Sequence, residues 1–220
     1  MEAYLGTVLM RTLHILFGIL WIGLLYYFNF VQTEYFKEAE PAHRSGAIQK
    51  LVPRALWWFR WGAMLTFLTG VALLAYRHTG LTYAITIGSV LGTLMFLNVW
   101  LIIWPNQKIV IASANAVAEG NDALPEAAVA APKAALASRT NTLFSAPMLF
   151  MMFASGHLSL GSNTMLAAAS GASIAAVLLI IILLETNAIF GKQGPLTSVS
   201  GVIHCGLGLT AVFYLLMALL

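Results

Sequence analysis

Hydrophobic positions along this chain come in long unbroken runs, without the strict alternation of half-buried strands and without a polar face recurring every three to four residues. Runs of about twenty apolar residues can cross the hydrocarbon core of a bilayer as α-helix. Such spans fall at residues 5–30, 56–76, 82–104, 142–160, 164–184 and 199–219, with Pro147 interrupting the fourth. Continuous runs exclude a closed transmembrane barrel, whose strands alternate. The pattern predicts an all-α integral membrane protein, one domain (1–220) built as a bundle of about six transmembrane helices. Two polar stretches separate the runs. Residues 31–55 mix acids and bases with Pro41 and Pro53, and residues 105–141 are alanine-rich with Gly120, Pro125 and Pro132 as breakers. The second stretch reads either as short amphipathic helices at the membrane surface or as a linker.

Composition agrees: 60% of residues are hydrophobic, 9% are charged and the mean hydropathy is +0.86, whereas about one quarter of a soluble domain is charged. Glu2 stands where a signal peptide needs a basic residue, so the first helix is expected to be retained. Lys37, Arg44, Lys50, Arg54, Lys108, Lys133, Arg139 and Lys192 follow the first, third and fifth spans, while the opposite loops offer little beyond Arg77. The positive-inside rule places the first set in the cytoplasm and both termini outside. The net charge of +3 then reflects topology and calls for no nucleic-acid partner; the lipid bilayer is the expected partner. Trp57, Trp58, Trp61, Trp100 and Trp104 read as an interfacial aromatic belt, and Arg60 as reaching the cytoplasmic headgroups.

Candidate chemistry lies with the histidines. His43 falls in a polar loop and reads as a solvated side chain, and His78 beside Arg77 as a cap or headgroup contact. His14, His157 and His204 sit within or at the margins of apolar helices, where a titratable ring is a functional-site hypothesis and neutral imidazole is a standard axial ligand for haem iron. His14 shares a helix face with Gly18 and Trp21, and His204 with Gly201 and Gly208. A glycine one turn from a ligand makes room for a flat macrocycle or, equally, for close helix packing. Depth counting at about 1.5 Å per residue puts His14 and His157 at similar levels, as a pair able to share one haem b, with His204 at a second site. Arg11 is placed to meet a haem propionate or the outer headgroups. The single Cys205 excludes an internal disulfide, a four-thiolate cluster and a covalent c-type haem. Zinc or copper at the three histidines ranks below haem, because no carboxylate is spaced with them. Asn98 reads as an interhelical hydrogen-bond donor, and Glu185 with Asn187 as the interfacial end of the fifth span, the simpler account beside a proton-relay carboxylate.

Four segments carry a family resemblance: Arg11-Thr-Leu-His-Ile-Leu-Phe-Gly-Ile-Leu-Trp-Ile-Gly23, Leu56-Trp-Trp-Phe-Arg-Trp61, Asn98-Val-Trp-Leu-Ile-Ile-Trp-Pro-Asn-Gln-Lys108 and Ser138-Arg-Thr-Asn-Thr-Leu-Phe-Ser-Ala-Pro-Met-Leu-Phe150. With Gly201-Val-Ile-His204 they resemble the membrane domain of the bacterial membrane-bound urate oxidases. The resemblance implies a module of the bacterial inner membrane, with periplasmic termini, that oxidises a small substrate or passes electrons. In those proteins it is fused to a C-terminal cytochrome c. This sequence ends at Leu220 without a haem c motif, so the acceptor would be a separate cytochrome c, a quinone or a partner membrane subunit. Three readings follow: a b-type haem redox protein with His14, His157 and His204 as ligands; a haem-dependent oxidase of urate or a porphyrinogen; and a cofactor-free accessory subunit of a larger respiratory or photosynthetic complex.

Overall fold

A computed structural model describes residues 2–76, 80–157 and 165–220. Nine α-helices account for most of the described residues, and the β-structure among them is an isolated bridge between Thr82 and Met165. They are α1 (Glu2–Tyr26), α2 (Thr33–Glu38), α3 (Pro41–Lys50), α4 (Val52–Ala75), α5 (Tyr83–Leu97), α6 (Trp104–Ala118), α7 (Ala127–His157), α8 (Gly171–Phe190) and α9 (Val199–Leu219). A π-helical segment, Tyr27–Gln32, joins α1 to α2 without a break, and a second, Asn98–Ile103, joins α5 to α6. The chain therefore rises through one rod from Tyr83 to Ala118, 36 residues long. At about 1.5 Å per residue that rod exceeds the roughly 30 Å of a hydrocarbon core.

The expected loops are helical. Pro41, Pro53 and Pro105 each stand at the start of a helix, where the missing N–H has no partner to lose, and begin α3, α4 and α6; Pro132, read as a breaker, lies inside α7. Residues 31–55 fold as α2, α3 and the start of α4. Residues 105–141 fold as α6 and the first half of α7, with one turn region between them. Side-chain caps start three others, α5, α8 and α9: Thr82 accepts from the Ile85 N–H at 3.3 Å, Ser170 from the Ser173 N–H at 3.5 Å, and Ser198 from the Gly201 N–H at 2.9 Å.

Among the described residues five stretches are long and apolar enough to cross a membrane: Leu5–Glu38, Val52–Ala75, Tyr83–Ala118, Gly171–Phe190 and Val199–Leu219. The expected fourth span, 142–160, is not among them. Its described part lies in α7, which holds Arg139, Thr140, Asn141, Thr142 and Ser145 and buries all five. This least apolar of the long helices is the centre of the bundle, packed against α5, α6, α8 and α9 and touching α1. The other strong seam is α1 along α4.

Glycines set the closest approaches. A Cβ on Gly62 would lie 3.2 Å from the Trp21 backbone nitrogen, and one on Gly88 would lie 2.8 Å from Met152 Cγ and 3.3 Å from the Met148 carbonyl oxygen. A Cβ on Gly206 of α9 would lie 3.3 Å from the Leu143 carbonyl oxygen. That carbonyl stands four residues before Pro147, which offers it no N–H. The seam geometry is that of helices drawn together by small residues.

Candidate functional site

Both π-helical segments pack against α7. A π-helical insertion disturbs the i to i−4 ladder and strands carbonyls, and such segments concentrate at functional sites. Here asparagine amides use the carbonyls. Asn29 Nδ2 donates to the Leu25 carbonyl at 2.9 Å and to Ser138 Oγ at 2.8 Å. Asn141 Nδ2 donates to the Met95 carbonyl at 2.9 Å, just before the second π segment. Asn98, inside that segment, donates to Asn141 Oδ1 at 3.0 Å and to Glu185 Oε2 of α8 at 3.2 Å. Asn98 and Asn141 are 1% and 0% exposed, so these amides have only each other, Met95 and Glu185 to satisfy them. One turn further along α7, Ser145 donates to the Thr142 carbonyl at 2.7 Å. Its hydroxyl proton is thereby engaged, which makes Tyr26 the donor in the 2.8 Å contact between Tyr26 OH and Ser145 Oγ.

The result is a belt of buried polar groups across an otherwise apolar bundle. Asn98, Asn141 and Glu185 form its ionisable part: a carboxyl group that accepts from an amide which a second amide holds in place. Asn98 is the interhelical donor expected from the sequence. Glu185 is not a free interfacial end, and Asn187 is the residue that closes α8, exchanging hydrogen bonds with the Lys192 backbone at 3.1 and 3.3 Å. Asn29, Asn141, Ser138 and Arg139 went unmarked as site residues. Their signal was the run Ser-Arg-Thr-Asn-Thr at 138–142, five polar positions leading straight into an apolar helix.

The three histidines are not gathered. The Tyr26–Ser145 contact sets a common level for α1 and α7, which run antiparallel. His14 and His157 each lie twelve residues from it, about 18 Å along the axes on the same side, so their levels agree as expected. Their directions do not. His14 Nδ1 meets the Thr66 carbonyl at 2.9 Å and Thr69 Oγ1 at 3.1 Å, both on α4, and its ring lies against Gly70. Thr69 spends its own proton on the Leu65 and Thr66 carbonyls, so both partners of His14 are acceptors and the Nδ1 proton is fixed. His157 is exposed, stacked on Phe153 with ring centroids 4.3 Å apart. His204 is exposed as well, and its Nδ1 turns back to the Ser200 carbonyl at 2.7 Å. It lies near the level of Leu143, about 20 Å along the axis from His157.

Haem was tested against these residues. His14 has the donor arrangement of an axial ligand, with Nδ1 held and Nε2 left for a metal. Around it, Gly18 sits in ordinary contact range of Thr66 Cγ2, Trp21 is 2% exposed among protein atoms, and Arg11 is exposed. Gly208 faces open space. Two apolar grooves of about 250 and 170 Å³ flank α5, and no histidine lines either. No group of three His, Cys, Asp or Glu residues suited to a metal occurs among the described residues. The residues present therefore do not make a two-histidine haem pocket within one copy. His43 is exposed as expected; His78 and Arg77 lie outside the described residues. Arg60 lies over the Trp104 ring at 3.8 Å with Nε and Nη1 buried, so it does not extend freely to headgroups.

An all-helical bundle with a buried amide pair bonded to a half-buried carboxylate defines the structural class. The family model described as urate oxidase N-terminal matches residues 78–190, just over half of the chain, and the chain belongs to that family. The matched span carries Asn98, Arg139, Asn141, His157 and Glu185 and leaves out His14 and His204. No curated protein and no solved structure matches the chain.

Proposed function

We propose that the chain is an integral membrane protein and the membrane-embedded module of a urate-oxidase-type oxidoreductase, multi-pass in the bacterial inner membrane with both termini periplasmic. The outer face supports membrane insertion: Leu5, Leu101, Phe153, Leu183, Phe190 and Leu219 are each at least 60% exposed, an apolar surface far larger than a soluble monomer carries. The observation that carries the functional reading is that the helices of the family match are the ones that bury Asn98 and Asn141 and set half-buried Glu185 against Asn98. Oxidation of a small ring-nitrogen substrate such as urate releases protons together with electrons. In this reading Glu185, oriented by Asn98, takes up a proton, and the electrons pass to a separate cytochrome c, a quinone or a partner subunit. A second reading, a b-type haem redox protein, is favoured by the held Nδ1 of His14; its second ligand would come from outside this bundle.

The test is urate-driven reduction of a soluble quinone analogue or of cytochrome c by the chain in zwitterionic nanodiscs. Turnover that is lost in Glu185→Gln, a variant that keeps the acceptor and loses the exchangeable proton, is the expected result. A reduced-minus-oxidised visible spectrum of the same preparation, with haemochrome quantification, decides the second reading: stoichiometric haem b lost in His14→Ala upholds it. Absence of both turnover and haem overturns both and leaves the accessory subunit.

A further inference from the structure

Arg139 is 3% exposed, yet no hydrogen bond or ion pair reaches its guanidinium among the described residues, and Nη1 is fully buried without an acceptor. The carboxylate whose field reaches it is Glu34, but both Glu34 oxygens are held by Lys37 Nζ at 2.8 Å. A buried cation whose nearest counter-charge is already held by another cation is costly to keep. Positions 139 and 141 are about 200° apart around a helix, so Arg139 faces away from the Asn98–Asn141–Glu185 cluster and belongs to a different place. Its neighbour Ser138 is bonded to Asn29, which ties the first π segment to this stretch of α7. Three residues past Asn29, Gln32 keeps Oε1 buried with no donor. The two segments joined by the Asn29–Ser138 bond thus hold a cationic nitrogen that lacks an acceptor and a carbonyl that lacks a donor.

We propose that Arg139 anchors a binding site for a small planar organic anion between the π segment Tyr27–Gln32 and α7, the anionic edge on the guanidinium and a ring N–H on Gln32 Oε1. The guanidinium fork suits a planar anionic edge, and the burial of Arg139 shuts out a lipid phosphate approaching from the outer face. Urate as the occupant rests on the function proposed above; the anion site does not.

Equilibrium binding of radiolabelled urate to the chain in phosphatidylcholine nanodiscs, with hypoxanthine as neutral competitor and benzoate as a second anion, tests it. Arg139→Gln weakens urate binding about tenfold or more, the scale of one lost buried charge contact, Arg139→Lys weakens it less, and hypoxanthine competes poorly. Glu34→Gln tightens binding several-fold, because it removes a competing negative field; a purely structural Arg139 would instead lose compensation. Should Arg139→Gln fail to fold, the other two variants carry the test. A folded Arg139→Gln that binds urate like the native chain overturns the proposal, as does a chain that binds neither anion. Arg139-dependent binding of benzoate without urate upholds the site and removes urate as its ligand. Urate turnover with a KM indifferent to Arg139 removes the site and leaves the oxidoreductase reading standing.

Discussion

Replacing Asn141 by alanine strikes the belt at its most connected point. The substitution removes the donor to the Met95 carbonyl and the acceptor of Asn98, at a residue with no exposure to solvent. Interhelical hydrogen bonds in membranes are worth about 0.6 kcal/mol on average and up to about 1.7, because the alternative state also finds partners. An orphaned buried group costs about 1–3 kcal/mol. Two bonds at the upper membrane value, with Asn98 left half-satisfied, give about 3 kcal/mol. The assay is reversible unfolding in mixed detergent and SDS micelles, followed by tryptophan fluorescence and helical CD. A double-mutant cycle with Asn98→Ala should return about 1 kcal/mol of coupling, since the two residues share a bond. A loss below about 0.5 kcal/mol for Asn141→Ala, the range of surface substitutions, would refute the argument that this amide pair holds α5 to α7.

Gly62→Val and Gly88→Val each force the backbone of a neighbouring helix to move, and each should cost about 2 kcal/mol or more in the same assay, in the range of overpacked cores. Gly208→Ala faces open space and should be neutral within about 0.5 kcal/mol. His14→Ala should cost about 1–2 kcal/mol by losing its bonds to α4, whereas His157→Ala and His204→Ala, whose rings are exposed and bonded only within their own helices, should be silent; a large loss at either would show a partner surface on that ring. Glu185→Gln should fold like the native chain while urate-driven turnover falls at least tenfold, measured as acceptor reduction.

The apolar runs made the helices legible because composition and length alone decide that a segment of this kind will be helical in lipid or in a bundle. They did not reveal the π segments. Tyr-Phe-Asn-Phe-Val-Gln and Asn-Val-Trp-Leu-Ile-Ile look like any apolar helix, and a one-residue shift of hydrogen-bond register leaves no mark on hydrophobicity. Asn98 was legible as a donor because an amide in an apolar run must find a partner; which partner depended on α7 and α8 arriving from distant sequence. Glu185 lies five residues from the end of its helix, and position alone placed it at the interface. One proline misled in the opposite direction: Pro132 reads as a breaker yet lies inside α7, while Pro41, Pro53 and Pro105 each sit at the start of a helix where proline is favoured.

The long helix that is not apolar enough to count as a span is the one the bundle surrounds, and the two facts have one cause. A segment with Arg139, Asn141, Thr142 and Ser145 could not face lipid without leaving those groups unsatisfied. Enclosed by the π segments, α5, α8 and α9, this stretch supplies the pairing partners that fix the register of α1, its π segment and α5. Asn141 sets α5, Ser138 sets the end of α1, and Ser145 sets Tyr26. Arg139 alone among them finds no such partner, and its charge is the one part of α7 that packing does not explain. A residue retained at that cost in the centre of the fold is where binding, not stability, is to be measured.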